Sequence, residues 1–403
     1  MVEGVDYNLT ESKIPAYTLP DVLQMPDGKK VTSTKQWENV QRPYLYHLFE
    51  ENVYGRFPST KIKPTFKLVE MDENALNGTA IRKQITVYFS GKDTAANMHI
   101  LLYLPKHANH PSPVFIGLNF SGNQVVNSDP GIFITQNWVY QGKGVVNNRS
   151  TDSTRGSQAS QWEVEKLLSR GYGLATVYYG DLEPDNINGW KTGVRTTLQN
   201  ELNIKAEEWS AIGAWAWGLC RVVDYLETDK GVNNKQIALM GFSRLGKATL
   251  WAGASDKRFN LIISNESGEG GAALTRRYYG ETTRIINAHF PYWFSSNYKK
   301  YNDNANALPV DQHELLALMA PRPLYVASAE GDQWSDPKGE FLGAKNAEPV
   351  YHLFNENGLG VDSMPALEHP VGDFIRYHIR SGKHDVTAYD WDQYLNFADH
   401  FFK

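Results

Sequence analysis

The sequence predicts an α/β fold: a mostly parallel central sheet sandwiched by helices in three layers, with antiparallel strands at the N-terminal end. From about residue 113 to the end, short apolar runs alternate with longer segments whose apolar residues recur at helical spacing. This alternation is typical of parallel strands joined by helices that cover both faces of the sheet. Before it, residues 64–105 alternate apolar and polar side chains in short runs, as antiparallel hairpins do.

The individual elements follow from the same periodicities and from the residues that begin or interrupt them. Thr32, Ser33 and Thr34 can cap the first helix, and Gly171 can close a later one. The predicted helices cover residues 37–53, 162–170, 209–227, 245–255, 272–290, 335–355 and 391–402. The predicted strands of the parallel region cover residues 114–118, 173–179, 237–240, 260–264, 323–328 and 374–379.

The composition excludes several classes of protein. The 403 residues carry a net charge of −5, and basic runs are short, which argues against a nucleic-acid-binding protein. Apolar stretches fall short of the ~18 residues that a membrane span needs. The one cysteine, Cys220, excludes an intramolecular disulfide and a cysteine metal site, and we expect it in the core. Aromatic residues make up 12%, which suits either a carbohydrate-binding surface or a large aromatic core.

The sheet is organised around the segment 236–248, which reads QIALMGFSRLGKA. Its apolar run ends at Gly241, and Ser243 and Gly246 follow, so the pattern is G-x-S-x-x-G. This is one residue longer than the strict G-x-S-x-G of a nucleophilic serine on a strand-to-helix turn. The helix that follows would offer its free N–H groups to an oxyanion. The alternative is a serine that only caps this helix.

The residues after Ser243 favour a catalytic serine. In α/β-hydrolases the order along the chain is serine, acid, histidine. His384 follows the last predicted strand, and two acids, Glu266 and Asp332, each follow a strand between the serine and the histidine. His384 would take the proton of the serine and return it to the leaving alcohol, while an acid stabilises the charged imidazole.

The oxyanion of this reaction needs hydrogen-bond donors. The backbone N–H of Arg244 and one N–H from the loop at Asn119–Phe120 are the predicted donors. The guanidinium of Arg244 would either bind the oxyanion itself or pair with a structural acid.

The identity of the acid stays open at this stage. Asp332 lies where most α/β-hydrolases carry their acid, and it is the favoured partner of His384. Glu266 would then share the role or orient Arg244. Two carboxylates beside one imidazole would raise the pKa of His384.

Several segments resemble those of the glucuronoyl esterases, carbohydrate esterase family 15, especially the bacterial members. The resemblance extends from about residue 45 to the end of the chain. It rests on G-F-S-R-L-G-K at 241–247, N-E-S-G-E-G-G-A-A at 265–273, R-R-Y-Y-G-E-T at 276–282, F-P-Y-W-F at 290–294, G-D-Q-W at 331–334 and G-K-H-D at 382–385.

The resemblance implies an esterase that cleaves the ester between 4-O-methyl-glucuronic acid of glucuronoxylan and lignin alcohols. It implies that Arg244 assists the oxyanion, and that Lys247, Glu281 and Trp334 contact the sugar hydroxyls. Without it, Lys247 would be interpreted as a salt-bridge residue on a helix and Trp334 as a core ring. The common position of the acid in the family falls on Glu266.

The predicted organisation is an extended, polar N-terminal arm over residues 1–30, followed by a single α/β-hydrolase catalytic domain over residues 31–403. Two long polar stretches, near 124–158 and 183–206, are predicted insertions at the rim of the site. No cofactor and no metal is expected, because the acids and histidines are not at ligand spacing. We expect a monomer.

The first residues, Met1–Gly4, lack the apolar core of a signal peptide. The resemblance nevertheless implies a secreted or periplasmic protein. Two rival functions stay in consideration: another carbohydrate esterase of the same fold, such as an acetyl xylan or feruloyl esterase, and an inactive hydrolase fold that binds polysaccharide.

Overall fold

The structure, a computed structural model, describes residues 7–90 and 96–403 and divides into two compact units. The first unit comprises residues Met1–Phe57, Gly241–Lys257 and Leu261–Asp385. The second unit comprises residues Pro58–Met240, Arg258–Asn260 and Val386–Lys403. The prediction of a single domain over residues 31–403 stays a prediction.

The second unit contains a sheet whose strands follow the order β1-β2-β3-β7-β4-β8. Pairs β1–β2, β2–β3 and β3–β7 are antiparallel, whereas β4 pairs in parallel with both β7 and β8. The strands are β1 (Thr65–Asn74), β2 (Ala80–Tyr88), β3 (Asn97–Pro105), β4 (Ser112–Asn119), β7 (Gly173–Tyr178) and β8 (Val232–Phe242), with a two-stranded ribbon of β5 (Val145–Val146) and β6 (Arg149–Ser150) apart from them.

Burial explains the change from antiparallel to parallel pairing in this unit. All residues of β4 and β7 are buried, as expected for parallel strands with both faces covered. In contrast, β1 is largely exposed along its length. The antiparallel hairpins predicted within residues 64–105 are confirmed for the described residues, while residues 91–95 lie outside them.

The main helix of the second unit is Ala211–Leu226, close to the predicted 209–227. It begins where the Ser210 hydroxyl accepts a hydrogen bond from the Gly213 N–H, and Cys220 lies buried within it, as predicted. The other helical elements of this unit are Ala75–Gly78, Asn123–Val125, Asp152–Thr154, Ala159–Gln161, Val164–Ser169, Tyr179–Asp181, Gly189–Lys191, Val194–Thr197, Gln199–Leu202, Ala206–Glu208 and Ala388–Phe402.

The two predicted insertions lie in the second unit. Residues 124–158 contain short turns and the β5–β6 ribbon, and residues 183–206 contain three short helical segments. A buried ion pair fixes the second stretch, because Arg195 Nη2 lies 2.5 Å from Glu183 Oε1. The location of both stretches at the rim of the active site stays a prediction.

The first unit contains strands β9 (Leu261–Asn265), β10 (Leu324–Ala329), β11 (Val371–Gly372) and β12 (Ile375–Arg380). Strand β10 pairs in parallel with β9 and β12, and β11 is antiparallel to β12. The last two residues of β8, Gly241 and Phe242, also belong to this unit. The predicted sheet, with parallel central strands and antiparallel N-terminal strands, is confirmed. The predicted parallel strands lie within two residues of their predicted ends, except that β8 begins at Val232, five residues before the predicted 237.

The predicted helix over residues 272–290 is wrong in its first half. The chain forms a short 3-10 turn at Thr275–Arg277 and becomes helical at Thr283–His289. The backbone N–H groups of Thr275 and Arg276 donate to the buried Asp311 carboxylate, and Tyr278 has a positive φ of 51°. These tertiary bonds replace the hydrogen bonds that a helix would supply.

The predicted helices over residues 37–53, 245–255 and 335–355 are confirmed, whereas the helix Gln312–Ala317 and several short turns of the first unit were not predicted. A continuous helix runs through Thr34–Gln36, Trp37–Gln41, Arg42–Phe49 and Glu50–Tyr54, with two π-helical turns, and Ser33 caps it. The others are Glu11–Lys13, Arg244–Ser255, Ser296–Tyr301, Ala305–Ala307, Gln312–Ala317, Gln333–Ser335 and Pro337–Leu353. None of the helices in the described ranges is long and apolar enough to cross a membrane.

The N-terminal arm is described from residue 7. It contains the turn Glu11–Lys13 and an isolated bridge between Gln24 and Lys30, and is otherwise irregular. The part of the arm predicted for residues 1–6 lies outside the described residues.

Aromatic stacking in the first unit gives a prediction for stability. Trp251 is buried between Tyr46 and Tyr54, with ring centroids 4.8 and 4.6 Å away. Replacing Trp251 with Ala leaves a large cavity and should lower the free energy of unfolding by about 3–5 kcal/mol, measured by denaturant titration. Trp190, which is 38% exposed, is the control, and Trp190→Ala should change the same quantity by about 0.5 kcal/mol or less. Equal losses in the two variants would contradict the packing argument.

Candidate active site

Ser243 lies on a sharp turn between strand β8 and the helix Arg244–Ser255. Its φ of 58° and ψ of −132° are an outlier for a residue with a side chain. Its backbone N–H donates to the carbonyl oxygen of Asn265 at 2.9 Å, which ties the turn to the end of β9. A strained serine between a strand and a helix is the geometry of a nucleophile turn, in which the hydroxyl projects from the sheet.

The two glycines around Ser243 are required by close packing. A Cβ on Gly241 would lie 2.4 Å from the carbonyl oxygen of Leu245, and a Cβ on Gly246 would lie 2.9 Å from the Cβ of Ser267. Real Cβ atoms do not approach other atoms this closely. The second glycine of the longer G-x-S-x-x-G pattern therefore allows the helix to pack against the segment after β9.

His384 follows strand β12 in an exposed loop and approaches the serine turn. Its ring centroid lies 4.5 Å from that of Phe242, the residue directly before Ser243. The side chain of His384 is 39% exposed, so one part of the ring is accessible while another is held by the protein. The loop turns at Gly382, whose φ of 105° favours glycine.

Both predicted acids contact the same nitrogen of His384. The Nδ1 atom lies 2.6 Å from Asp332 Oδ2 and 3.1 Å from Glu266 Oε2. Each acid follows a parallel strand, Glu266 after β9 and Asp332 after β10. Because the carboxyl ends of parallel strands lie at one edge of a sheet, the fold brings the two acids and the histidine together.

The surroundings shift the pKa of all three groups. Burial opposes the charge on His384, but the hydrogen bonds and charges of Asp332 and Glu266 together raise its pKa to about 9. Burial also opposes the charge on Asp332, but the bond to His384 lowers the pKa of Asp332 below its ordinary value. Burial raises the pKa of Glu266 to about 7, against the charges of His384 and Arg380. The predicted rise in the pKa of His384 is confirmed.

The guanidinium of Arg244 lies against two aromatic rings. Its Cζ is 4.7 Å from the ring centroid of Trp293 and 5.5 Å from that of Phe290. The two rings stack on each other at 3.7 Å with an interplanar angle of 3°. Stacking of this kind holds a cation in place without neutralising its charge. Arg244 is the first residue of the helix after Ser243, so its backbone N–H lies at the helix N-terminus.

Lys247 and Glu281 form a second buried polar group near the start of the same helix. Lys247 Nζ donates to the backbone oxygens of Ser267 at 2.6 Å and Glu269 at 2.7 Å. It also lies 3.7 Å from Glu281 Oε2, and both side chains are largely buried. Burial lowers the pKa of Lys247, against the charge of Glu281 and Glu269. The ammonium group thus has two hydrogen-bond acceptors and one ion-pair partner.

Trp334 joins this group through the backbone. The N–H of Glu281 donates to the carbonyl oxygen of Trp334 at 2.9 Å. A Cβ on Gly280 would lie 2.4 Å from the same oxygen, so glycine permits this contact. The Trp334 ring is half-buried and makes an edge contact with Tyr7. All eight predicted site residues lie in the first unit.

Sequence reasoning missed Arg380 and the stacking pair under Arg244. Arg380 Nη2 lies 2.7 Å from Glu266 Oε1, which makes Glu266 part of a buried ion pair. The signal for Arg380 was its place at the end of the last strand, four residues before His384. The signal for Phe290 and Trp293 was their presence in the F-P-Y-W-F segment.

The cluster of Glu266, Asp332 and His384 also has the composition of a metal site, with ligand atoms within 4.8 Å of one another. The separation of 2.6 Å between His384 Nδ1 and Asp332 Oδ2 is that of a charged hydrogen bond. An ion bound by both atoms at the usual ~2.0–2.2 Å would hold them farther apart. The observed geometry therefore fits a proton between them.

Known proteins resemble the chain along nearly its whole length. A family model described as "Glucuronyl esterase, fungi" matches residues 190–355. A carbohydrate esterase of an unknown prokaryotic organism is 46% identical over 398 residues, which cover 98% of this chain and 92% of the relative. The 4-O-methyl-glucuronoyl methylesterase of Phanerochaete carnosa is 36% identical over 344 residues, which cover 83% of this chain and 71% of the relative.

Solved structures give the same result. A glucuronoyl esterase from Solibacter usitatus superposes with a TM-score of 0.91 at 51% identity, covering 97% of this chain and all of its own. An esterase of carbohydrate esterase family 15 from a marine bacterial metagenome, described as promiscuous, has a TM-score of 0.92 at 46% identity, covering 98% of this chain.

The fold and these relatives define a carboxylic ester hydrolase of the α/β-hydrolase class. Within that class, the chain belongs to the glucuronoyl esterases of carbohydrate esterase family 15.

The position of two carboxylates at one nitrogen gives a prediction for pH dependence. In an NMR titration, the ring signal of His384 should shift with a midpoint near pH 9, because both carboxylates stabilise the imidazolium. Removing a negative charge favours the neutral ring, so Asp332→Asn should move the midpoint downward, toward the ordinary value of ~6.5. His369, which lies on the surface, provides an internal reference in the same spectra. A midpoint unaffected by Asp332→Asn would show that Asp332 does not hold His384.

Proposed function

We propose that the protein is a serine esterase that hydrolyses the ester between 4-O-methyl-glucuronic acid of glucuronoxylan and an alcohol of the lignin type. The observation that carries the proposal is a strained serine turn together with a histidine paired with carboxylates. Relatives named as a glucuronoyl esterase and a 4-O-methyl-glucuronoyl methylesterase support it. The bound substrate would place its carboxyl ester at Ser243 and its sugar ring beside Lys247, Glu281 and Trp334.

In the first step, Ser243 Oγ attacks the ester carbonyl and His384 accepts the serine proton. The Nδ1 atom of His384 is occupied by the carboxylates, so Nε2 is the nitrogen available to the serine. The tetrahedral intermediate then expels the alcohol, which receives the proton from Nε2, and a glucuronoyl-serine ester is left.

In the second step, water attacks this acyl-enzyme. His384 takes a proton from the water and returns it to Ser243 Oγ as the acid leaves. The overall reaction is ester plus water to uronic acid plus alcohol, with no cofactor.

Asp332 is proposed as the principal partner of His384. Its distance to Nδ1 is 0.5 Å shorter than that of Glu266, from 2.6 against 3.1 Å. Its lowered pKa also keeps it ionised at neutral pH, whereas Glu266 has a raised pKa and shares its carboxylate with Arg380. Glu266 is proposed as a second, auxiliary partner.

The developing oxyanion is proposed to bind at the N-terminus of the helix Arg244–Ser255. The backbone N–H of Arg244 lies there, and the helix supplies a partial positive charge. The guanidinium of Arg244 adds a full charge, and its stacking on Trp293 and Phe290 keeps it pre-positioned. A preorganised donor of this kind is worth about 3 kcal/mol of transition-state stabilisation.

The sugar is proposed to be recognised by Glu281 and Trp334, with Lys247 in support. Lys247 already donates to two backbone oxygens, so its third N–H is the one that faces Glu281. A carboxylate oriented in this way can accept hydrogen bonds from two neighbouring hydroxyls, and the indole N–H of Trp334 adds a donor.

We propose that the enzyme acts outside the cell, because its proposed substrate is a large polymer. We also propose that it is a monomer. Recovery of the natural protein in the cytoplasmic fraction, or a dimer mass in light scattering, would contradict these two statements respectively.

The triad is tested by kcat/KM on benzyl glucuronate and on an acetyl ester without a sugar acid. Ser243→Ala should lower kcat/KM on both esters about 10⁴-fold or more, because the nucleophile is lost. Asp332→Ala should cost about 10²- to 10⁴-fold, and Glu266→Ala should cost less.

Two outcomes would redirect this proposal. Turnover of the acetyl ester without turnover of the glucuronate would favour an acetyl or feruloyl esterase. If the wild-type protein hydrolyses neither ester but binds polysaccharide, the result would favour the binding function.

Sugar recognition is tested by Glu281→Gln, which keeps the shape of the side chain and removes its charge. We expect KM for benzyl glucuronate to rise about tenfold, since a charge-assisted hydrogen bond is worth about 1.5–3 kcal/mol. The acetyl ester should be hydrolysed at the wild-type rate, because it has no hydroxyls for Glu281 to bind. Equal losses on both esters would assign Glu281 a structural role.

A further inference from the structure

Arg380 is the last residue of strand β12 and is buried, with 3% of its surface exposed. Its guanidinium donates to the backbone oxygens of Ser381, Lys383 and Asp385, at distances between 2.6 and 3.2 Å. These three residues surround His384 in the chain. A single planar side chain therefore binds the loop that carries His384 on both sides of the histidine.

The loop itself has few other means of holding its shape. Residues 381–384 are exposed, so they gain little from apolar packing. The Gly382 oxygen accepts from the Gly331 N–H at 2.8 Å, and the Ser381 N–H donates to Glu368. At the far end, the Asp385 oxygen also accepts from Asn265 Nδ2 at 3.0 Å. The bonds from Arg380 to Ser381, Lys383 and Asp385 connect these separate contacts across the loop.

Arg380 also forms an ion pair with Glu266, the second carboxylate that contacts His384. Its Nη2 atom lies 2.7 Å from Glu266 Oε1, while the second oxygen of Glu266 faces His384 Nδ1 at 3.1 Å and accepts from the Asp385 N–H at 3.2 Å. Two carboxylates and one imidazolium sum to a charge of −1. When the charge of Arg380 is included, the sum is zero. The buried cluster can therefore be neutral while both carboxylates stay ionised.

We propose that Arg380 is a positioning residue for ester hydrolysis: it fixes the His384 loop through backbone oxygens, and its ion pair with Glu266 holds that carboxyl group against the imidazole and favours its ionised form. This inference rests on the proposed function, in which His384 is the general base. Burial raises the pKa of Glu266 to about 7 against the opposing charges of His384 and Arg380, so loss of the Arg380 cation would favour the neutral carboxyl further.

The charge part of the inference is tested by ¹³C NMR of the Glu266 carboxyl group. Removing the cation in Arg380→Gln should raise the titration midpoint of Glu266 above that of the wild type, because the Glu266 charge then loses one of the two cations, His384 and Arg380, that oppose burial and the repulsion of Asp332. Arg380→Lys restores the charge and should return the midpoint close to the wild-type value. An unchanged midpoint in Arg380→Gln would overturn this part.

The loop part is tested by kinetics on benzyl glucuronate. A histidine displaced by a fraction of an ångström lowers kcat without affecting substrate contacts, so Arg380→Gln should reduce kcat about 10- to 100-fold with KM within about twofold. Arg380→Lys cannot bridge three oxygens with its single ammonium and should recover kcat only in part. If Arg380→Gln does not fold, the lysine variant still tests the loop part through kcat, and Arg380→Met, which also removes the charge, takes the place of Arg380→Gln in the NMR titration.

Two further variants separate positioning from general stability. Arg376 lies on the same strand, about 13 Å before Arg380, and Arg376→Gln should leave kcat and the Glu266 midpoint unchanged. In a Glu266→Gln background, Arg380→Gln should still lower kcat, because the oxygens of Ser381, Lys383 and Asp385 lose their bonds to Arg380. No further loss there, or an equal loss in Arg376→Gln, would overturn the loop part.

Failure of this inference is distinguishable from failure of the proposed function. The NMR midpoints do not depend on catalysis. If Ser243→Ala retains full activity, the serine mechanism is wrong, whatever Arg380 does.

Discussion

The pairing of one imidazole nitrogen with two carboxylates is the interaction around which the first unit is built. His384 Nδ1 lies 2.6 Å from Asp332 and 3.1 Å from Glu266. The Asp332 and Glu266 oxygens lie within 4.8 Å of each other, so their two buried negative charges would repel each other strongly without a cation. The imidazolium supplies one positive charge and Arg380 supplies the other, so the loops after β9, β10 and β12 depend on one another's charges.

This arrangement affects the proposed base. A pKa of His384 near 9 means that the imidazolium is well stabilised, which assists the charged intermediate but leaves less neutral base at pH 7. The second carboxylate contributes to this shift together with Asp332. Burial raises the pKa of Glu266 to about 7, and the charges of His384 and Arg380 oppose this rise.

The second constraint is the close approach of the serine helix to the segment after β9. Gly246 meets Ser267, and Lys247 binds the backbone oxygens of Ser267 and Glu269. The same segment supplies Glu266. The helix that presents Ser243 and the loop that presents an acid are therefore packed as one piece, and Lys247 connects this piece to Glu281.

Much of this protein follows from its sequence alone. Short apolar runs such as 324–329 and 261–265 are typical of buried strands, and the positions of Ser243, Glu266, Asp332 and His384 after such strands follow from local pattern. The tertiary structure decided what local pattern does not encode: which acid lies nearer to His384, which cation neutralises Glu266, and why residues 275–277 bend around Asp311 instead of forming a helix. These features depend on distances between segments far apart in the chain. Because water is excluded from the site, a buried charge without a partner at contact distance costs free energy, and so the tertiary packing determines which groups pair.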